Sequence, residues 1–270
     1  MKRSSSPSKA SAKTSTKSSA TTAVAAAASP EATLAKLQGL ITSRASAFAW
    51  KNYKPVILEM AKGKRVLEIG AGRSPLFSPD ELKRYAITYT ANDIWQSELD
   101  RISFKVATAC FDATQDVPAA FEGKFDLVFS QMVQEHVASG PRYYHNLHKL
   151  LAKGGVSLQF HPTLYHPVFI LNYLLPETLS ARILQFFFPQ RNWDETPKFP
   201  AYYQYCTTLP GQVKVLAAHG FRIAHQFPFY GQGYFKKIPG FKQLFSALDG
   251  WAMAKDIRAL STYAFSVVIK

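Results

Sequence analysis

Two glycines in a short apolar stretch are the first residues whose spacing could serve chemistry. They lie in VLEIGAGRSP, residues 66–75, where an apolar run breaks into Gly70 and Gly72 before a helix-starting pattern. Glycine lets the backbone turn sharply and approach a ligand, because a Cβ at either position would block that approach. Turns of this type bind several classes of nucleotide, so the turn alone predicts a nucleotide site and leaves the nucleotide open.

The residues beside the turn argue against a pyrophosphate ligand. A dinucleotide-binding fingerprint needs a third small residue at position 75, where this chain has Pro75. Glu68, at the end of the apolar run, would repel a diphosphate and would attract a cationic group. These two residues therefore favour a nucleotide cofactor that carries positive charge.

Two aspartates follow the turn at spacings that suit a nucleoside. Asp93, in YTANDIW, comes 21 residues after Gly72 at the end of the second predicted strand, where a carboxylate can accept two hydrogen bonds from a ribose diol. Asp112, in CFDAT, follows the third predicted strand, where an acceptor can take the exocyclic amine of adenine. Either aspartate alone could be an ordinary turn residue, but their order and spacing together favour ligand binding.

The elements that must position these residues alternate in type. Strands are predicted near 65–69, 87–92, 105–109, 125–129 and 155–160, and helices near 76–85, 96–102 and 141–152. Strands that alternate with helices predict an α/β fold with a doubly wound, mostly parallel sheet. In such a sheet the ligand belongs at the carboxyl ends of the strands.

Both ends of the predicted domain add further elements. Ser29 can cap a helix whose apolar residues recur at helical spacing up to Phe48, and a second short helix is predicted to end near Gly63. The carboxyl-terminal part predicts a helix ending at Gly220, a strand in FRIAHQF and a final strand in STYAFSVVIK. We therefore expect a single domain over residues 31–270.

The first thirty residues differ in composition from the rest. They consist almost wholly of Ser, Thr, Ala and Lys, and they carry five of the basic residues behind the net charge of +14. We expect residues 1–30 to be a disordered basic tail, although the composition also fits an organelle transit peptide. The excess charge favours anionic partners, while the absence of a nucleic-acid-binding signature predicts no specific nucleic-acid partner.

The two cysteines, Cys110 and Cys206, lie far apart and have no paired Cys or His spacing. This pattern argues against a disulfide framework and against a metal site. We therefore expect a reducing, cytoplasmic location, with the alternative of peripheral contact with a membrane.

Five segments in order resemble the motifs of the class I S-adenosylmethionine-dependent methyltransferases. The segments are VLEIGAGRSP, NDIW, FDAT, FDLVFSQMVQEHV and LHKLLAKGGVSLQF, over roughly residues 60–160. The resemblance implies a Rossmann-like sheet with an antiparallel final strand and S-adenosylmethionine as cofactor. It also implies a cofactor-binding role for ten residues: Glu68, Gly70, Ala71, Gly72, Asp93, Ile94, Asp112, Ala113, Ser130 and Gln131.

The chemistry of a sulfonium methyl group limits what the protein must supply. The methyl is already electrophilic, so holding the acceptor in line can supply about 7–11 kcal/mol of barrier reduction. A base is needed only where the acceptor carries a proton of high pKa. His136 and His161 are the candidate bases because both are predicted at strand carboxyl ends, although the Glu-His pair at 135–136 also suits an orienting role.

Two aromatic-rich insertions, about 162–206 and 228–259, interrupt the predicted core and are expected to select the substrate. The second contains an apolar stripe at helical spacing from Phe241 to Trp251, with lysines close by. Such helices usually pack as a lid, but they also suit a membrane surface or a protein partner. We expect residues 164–188 and 236–251 to bind anionic membranes.

These observations together predict methyl transfer from S-adenosylmethionine to a small-molecule or to a lipid- or saccharide-linked acceptor, most readily at oxygen. Two alternatives stay open at this point. One is a nicotinamide-dependent oxidoreductase, which Pro75 and Glu68 disfavour. The other is a methyltransferase-like binding module without activity.

Overall fold

A computed structural model of the chain describes residues 29–175, 200–233 and 240–270. The predicted tail, apart from its last two residues, and the middle parts of both predicted insertions lie outside the described residues.

Seven strands within the described residues form one sheet. They are β1 (Arg65–Ile69), β2 (Thr88–Asp93), β3 (Ala107–Cys110), β4 (Phe125–Gln131), β5 (Leu151–Pro162), β6 (Ile223–Phe229) and β7 (Tyr263–Ile269). The strand order is β3-β2-β1-β4-β5-β7-β6, and β7 is antiparallel to both of its neighbours while the other pairs are parallel. This confirms the predicted doubly wound sheet and its antiparallel final strand.

Helices cover both faces of the sheet. They are α1 (Pro30–Leu40), α2 (Ser46–Ala61), α3 (Pro79–Arg84), α4 (Gln96–Leu99), α5 (Gly140–Leu150), α6 (Pro167–Leu174), α7 (Pro210–Ala217) and α8 (Phe241–Ala254). One apolar core forms against α1 and α2, and a second forms against α5 and α7. None of the helices in these described ranges has both the length and the apolar character needed to cross a bilayer.

The predicted boundary between the first two helices is wrong. The apolar pattern predicted one helix from Ser29 to about Phe48, but the helix breaks at residues 41–45. The break occurs because Tyr230 forms backbone hydrogen bonds with Arg44 and Ser46, at 2.8 and 2.7 Å. Tertiary pairing with the residue after β6 therefore overrides local helix propensity.

Pro55 lies in the interior of α2, although it has no N–H to donate to the helix. Its ring is exposed, and the buried face formed by Tyr53, Val56 and Ile57 anchors the helix on both sides of it. Packing of this face therefore outweighs the one lost hydrogen bond.

Candidate cofactor and acceptor site

A cavity of about 980 Å³ opens at the carboxyl ends of the parallel strands. Its walls are the glycine turn after β1, the ends of β2 and β4, the loop after β3, and residues 200 and 202. This is the edge of the sheet at which a doubly wound fold binds its ligand. Of the ten predicted cofactor-binding residues, eight line it: Gly70, Ala71, Gly72, Asp93, Ile94, Asp112, Ala113 and Gln131.

The glycine turn is held closely between its neighbours. Gly70 and Gly72 have φ angles of 71° and 55°, in the left-handed region that favours glycine. A Cβ on Gly70 would lie 2.5 Å from Cγ2 of Val133, which is closer than atoms can pack. The N–H of Ala71 donates to the carbonyl of Asn92 at 2.8 Å. Glycine is therefore required here both by the backbone conformation and by the approach of the loop after β4.

Asp93 is fixed at the end of β2 by two backbone donors. Its Oδ2 accepts from the N–H of Gly72 and its Oδ1 from the N–H of Trp95, each at 3.0 Å. Ile94, which is 54% exposed, and Trp95 present apolar surface to the same cavity. A carboxylate beside an exposed apolar surface suits a ribose diol attached to an aromatic base.

The loop after β3 is similarly ordered. Oδ1 of Asp112 accepts from the N–H and from the hydroxyl of Thr114, both at 2.7 Å. Nδ2 of Asn146, in α5, donates to the carbonyl of Ala113 at 2.9 Å. These bonds hold Asp112 and Ala113 at the cavity wall, and an adenine amine would then be bound through Oδ2 of Asp112.

Glu68, which was predicted to bind the cofactor, is not among the residues that line the cavity. Its carboxylate is buried, and it accepts from the N–H of Leu76 at 3.0 Å and from the hydroxyl of Tyr89. Burial raises the pKa of Glu68 to about 7, although the hydrogen bond from Tyr89 opposes the shift. Glu68 therefore joins β1, β2 and the chain that leaves the glycine turn.

Ser130 also lies outside the cavity lining, although its neighbour Gln131 is part of it. Ser130 is fully buried, its hydroxyl donates to Oε1 of Gln159, and its carbonyl accepts from the hydroxyl of Tyr53 at 2.6 Å. The side chains of β4 alternate between the two faces of the sheet, so only one of these two neighbours can turn toward the cavity.

His161 belongs to a buried polar network rather than to the cavity lining. Its Nδ1 lies 2.9 Å from the carbonyl of Pro162, and its Nε2 lies 2.8 Å from the hydroxyl of Ser266. Because a carbonyl only accepts, Nδ1 carries the proton and Nε2 accepts from Ser266, which in turn receives the amide of Gln226 at 2.9 Å. Burial lowers the pKa of His161 to about 4. Both nitrogens are thus engaged away from the cavity, which argues against the predicted role as a base.

His136, the other predicted base, does line the cavity. Its Nδ1 lies 2.9 Å from the carbonyl of Pro200, so Nδ1–H donates to that carbonyl. Its Nε2 lies 3.8 Å from Oε1 of Glu135. The ring therefore connects the loop after β4 to residue 200, and this geometry fixes its tautomer.

Residues 200–206, at the end of the first predicted insertion, are attached beside the cavity in a way that the sequence did not indicate. The N–H groups of Tyr202 and Tyr203 donate to the carbonyl of Glu135 at 2.8 and 3.1 Å, and Nε2 of Gln134 donates to the carbonyl of Tyr205 at 3.0 Å. The N–H of Gly140 donates to Oε1 of Gln204 at 2.8 Å. The end of the first predicted insertion is thus fastened to the loop between β4 and α5. Tyr202 contacts the cavity as a result.

Glu135 is buried at the centre of this attachment. Burial raises the pKa of its carboxyl to about 8, so the side chain is largely protonated at neutral pH. Its Oε2 has no hydrogen-bond partner among the described residues. The neighbouring Met132 has a φ of 56°, which is uncommon outside glycine and recurs at ligand sites.

An ionic cluster lies at the opposite wall. Arg73 forms a two-point contact with Glu98, at 2.9 and 3.3 Å, and Arg101 lies 3.5 Å from the same carboxylate. All three residues line the cavity. Arg73 therefore bridges the glycine turn and α4 instead of pointing only to solvent.

Comparisons with known proteins agree with this geometry. A family model described as a methyltransferase domain matches residues 44–167, the segment that holds the glycine turn and both aspartates. A SAM-dependent methyltransferase from Archaeoglobus fulgidus shares 16% identity with a TM-score of 0.51, over 88% of this chain and 99% of that one. The phosphoethanolamine N-methyltransferase 2 of Haemonchus contortus, solved with phosphomonomethylethanolamine and S-adenosylhomocysteine, shares 17% identity with a TM-score of 0.51.

The Haemonchus alignment covers 87% of this chain and 60% of the Haemonchus chain. At these identities the likeness to solved structures shows a common fold. No curated protein matches the sequence significantly.

Proposed function

Since the chain belongs to the class I S-adenosylmethionine-dependent methyltransferases, we propose that it methylates a small-molecule or a lipid- or saccharide-linked acceptor at oxygen. One observation carries the proposal. His136 and Tyr202 face the same cavity as Gly72 and Asp93, so a cofactor side and an acceptor side share one space.

The residues present fit S-adenosylmethionine. Asp93 offers a fixed acceptor for the ribose hydroxyls, Ile94 offers an apolar surface for adenine, and Asp112 offers an acceptor for its amine. When bound, the cofactor supplies an electrophilic methyl group. The chain's own residues then have to orient the acceptor and exclude water.

The size and lining of the cavity support a compact acceptor. A volume of about 980 Å³ lies at the upper end of the range for small-molecule sites, roughly 300–1,000 Å³, which leaves space beside a nucleoside cofactor. The acceptor side is formed by Val137, Ala138, Pro200 and Tyr202 around His136, and is mostly apolar or aromatic. An organic molecule or the end of a lipid-linked one suits such a lining.

Methylation at oxygen is supported by His136. A hydroxyl acceptor must lose its proton, and an imidazole whose Nδ1–H is bound to Pro200 carries its basic lone pair on Nε2. A matched pair of variants tests this role. We expect His136→Ala to lower turnover at saturating substrate by about 100-fold, in the range typical of general bases. We expect His161→Asn to retain most of the turnover. Near-wild-type turnover in His136→Ala would show that His136 does not act as the base.

The acceptor is identified by transfer of label. Purified protein is incubated with methyl-labelled S-adenosylmethionine and an extract of its own cells, and label is counted in each chemical fraction. We expect label in the lipid, saccharide or soluble small-molecule fraction. Label in protein or nucleic acid would contradict the proposed acceptor, and label nowhere would favour an inactive binding module.

A cytoplasmic location is proposed on a separate ground. Cys110 and Cys206 are free cysteines, and a reducing compartment keeps thiols in this form. Fractionation of cells that produce the full chain tests it, and recovery inside an organelle would instead support the transit-peptide reading of residues 1–30.

A further inference from the structure

Helices α6 and α8 present large apolar side chains to solvent. Leu174 is 72% exposed and Leu244 is 64% exposed, and Leu171 and Trp251 are each more than half exposed. The apolar stripe predicted for α8 is therefore present, but the buried side chains of that helix are Asp249 and Ala252. A lid helix that packed on the sheet would bury the stripe instead.

A buried polar pair holds the two helices together. Nε2 of His166, at the start of α6, lies 3.0 Å from Oδ1 of Asp249 in α8. Nδ1 of His166 accepts from the N–H of Val168, so Nε2 carries the proton and donates to Asp249. The rings of His166 and Phe245 are also in contact, with centroids 6.1 Å apart. The exposed side chains of both helices thus belong to one surface, which we call the α6–α8 face.

Apart from Asp256, which follows Lys255 and is paired with Arg44 and Arg258, the exposed charges on the described part of this face have one sign. Asp249 is the acid of α8 and is turned inward toward His166, whereas Lys242 and Lys255 are exposed at the two ends of the helix. Helix α6 carries no charged residue. Apolar side chains flanked by exposed lysines are typical of helices that lie in the plane of an anionic membrane surface.

The α6–α8 face continues to the rim of the cavity. The ring of Tyr173, in α6, meets the ring of Tyr203 edge to face, with centroids 5.8 Å apart. The N–H of Tyr203 donates to the carbonyl of Glu135, as does the N–H of Tyr202. Tyr202 lines the acceptor side of the cavity. If a membrane lies against this face, a molecule that moves from the membrane to the cavity would therefore contact apolar and aromatic side chains along the whole path.

We propose that the α6–α8 face docks the protein on anionic lipid membranes and that the methyl acceptor enters the cavity from that surface. The proposal rests on the proposed function and narrows its acceptor to a lipid-soluble or lipid-linked molecule. The apolar side chains would enter the headgroup region, and Lys242 and Lys255 would contact anionic headgroups.

Sedimentation of the full chain with vesicles tests docking. The vesicles are phosphatidylcholine alone or mixed with phosphatidylserine, at low and at high salt. We expect binding to the mixed vesicles that weakens with salt, and a loss of about tenfold or more in Leu244→Glu/Trp251→Glu. Leu244→Glu alone is compared with Val215→Glu, which adds the same single charge at an exposed apolar position of α7 and is expected to bind as wild type does.

Three results would overturn the proposal. The first is wild-type binding by Leu244→Glu/Trp251→Glu, since attraction would then come from elsewhere, such as the basic first thirty residues. The second is no binding to either vesicle. The third is concentration-dependent self-association that the double variant abolishes without vesicle binding, because the face would then serve a second copy of the chain. Titration with S-adenosylhomocysteine in the same variants reports on the proposed function separately.

Discussion

Single residues divide between those that face the cavity and those that support it. Asp93 accepts from backbone N–H groups on either side, so its carboxylate is already oriented before a ligand arrives. Glu68 and Glu135 are buried carboxyl groups whose pKa values burial raises to about 7 and about 8. We expect the first type of residue to determine affinity for the cofactor and the second to contribute to the pH dependence of stability.

Replacement of Asp93 tests its part in cofactor binding. Asp93→Asn keeps the shape of the side chain, but it removes the charge and replaces one of the two acceptor oxygens by an NH2 group. A ribose hydroxyl then loses a charge-assisted hydrogen bond worth about 1.5–3 kcal/mol. We expect S-adenosylhomocysteine to bind roughly 10- to 150-fold more weakly in calorimetric titration. Asp80→Asn, in the first turn of α3, is the control and should bind as wild type does. Unchanged affinity of Asp93→Asn for S-adenosylhomocysteine would show that Asp93 does not bind the cofactor.

Glu135 gives a pH-dependent prediction. Its carboxyl has a higher pKa in the folded chain, about 8, than in the unfolded chain, so its stabilising contribution is complete below the unfolded pKa and is lost as pH rises through about 8. Glu135→Gln cannot ionise. We expect it to reduce the fall in free energy of unfolding between about pH 5 and pH 9 by on the order of 1 kcal/mol or more.

Denaturant unfolding at the two pH values measures this difference. Glu68 acts in the same direction and is unchanged in the variant, so part of the pH dependence should remain. A pH profile identical to that of the wild type would show that Glu135 is ionised when folded.

The sequence identified the cavity-facing residues better than the supporting ones. Gly70, Asp93 and Asp112 could be predicted because the carboxyl ends of neighbouring parallel strands meet at one edge. Glu68 and His161 lie near the same strand ends, but their side chains turn into the body of the fold. Which way a strand-end side chain turns depends on partners such as Tyr89 and Ser266, and these are distant in sequence.

Among the elements, the segment 200–206 was predicted only as part of a substrate-selecting insertion, and its attachment beside the cavity was not predicted. Its contacts are backbone and amide hydrogen bonds to residues 134–140, more than sixty positions earlier, and no local pattern encodes them. The strands could be predicted closely because their apolar runs and bounding turns are local. The break between α1 and α2 was not predicted for the same reason: it depends on hydrogen bonds to Tyr230, which is distant in sequence.

Gly140 tests the attachment of this segment. A Cβ at Gly140 would lie 2.9 Å from the ring of Tyr205, so Gly140→Ala should push the segment away from the loop after β4. We expect KM for the acceptor to rise roughly tenfold or more while affinity for S-adenosylhomocysteine changes little. Gly211→Ala, near the start of α7 with nothing within 4 Å of the added Cβ, is the control. If both variants have the same KM for the acceptor, residues 200–206 do not take part in acceptor binding.

In the whole molecule, the cavity and the α6–α8 face are joined through the contact of Tyr173 with Tyr203. The strand ends and the loops that follow them form most of the cavity, and Pro200 and Tyr202 of the first predicted insertion complete its wall. Both predicted insertions contribute to the exposed apolar surface. The fold class follows from the alternation of strands and helices. The exposure of the α8 stripe does not, because an apolar stripe at helical spacing looks the same whether it is covered or not.

Cofactor binding should stabilise the whole domain. A ligand that binds the folded chain alone adds about 2.7 kcal/mol at a concentration one hundred times its Kd. We therefore expect S-adenosylhomocysteine to raise the melting temperature, and Asp93→Asn to require a higher concentration for the same shift. No shift at saturating ligand would contradict binding at this cavity.

The roles proposed for the cavity residues depend on which nucleotide binds at the glycine turn. Calorimetric titration of the full chain with S-adenosylhomocysteine and, separately, with NADH decides this. We expect one saturable site for S-adenosylhomocysteine and no heat of binding for NADH. Saturable binding of NADH without binding of S-adenosylhomocysteine would contradict the proposed methyltransferase function.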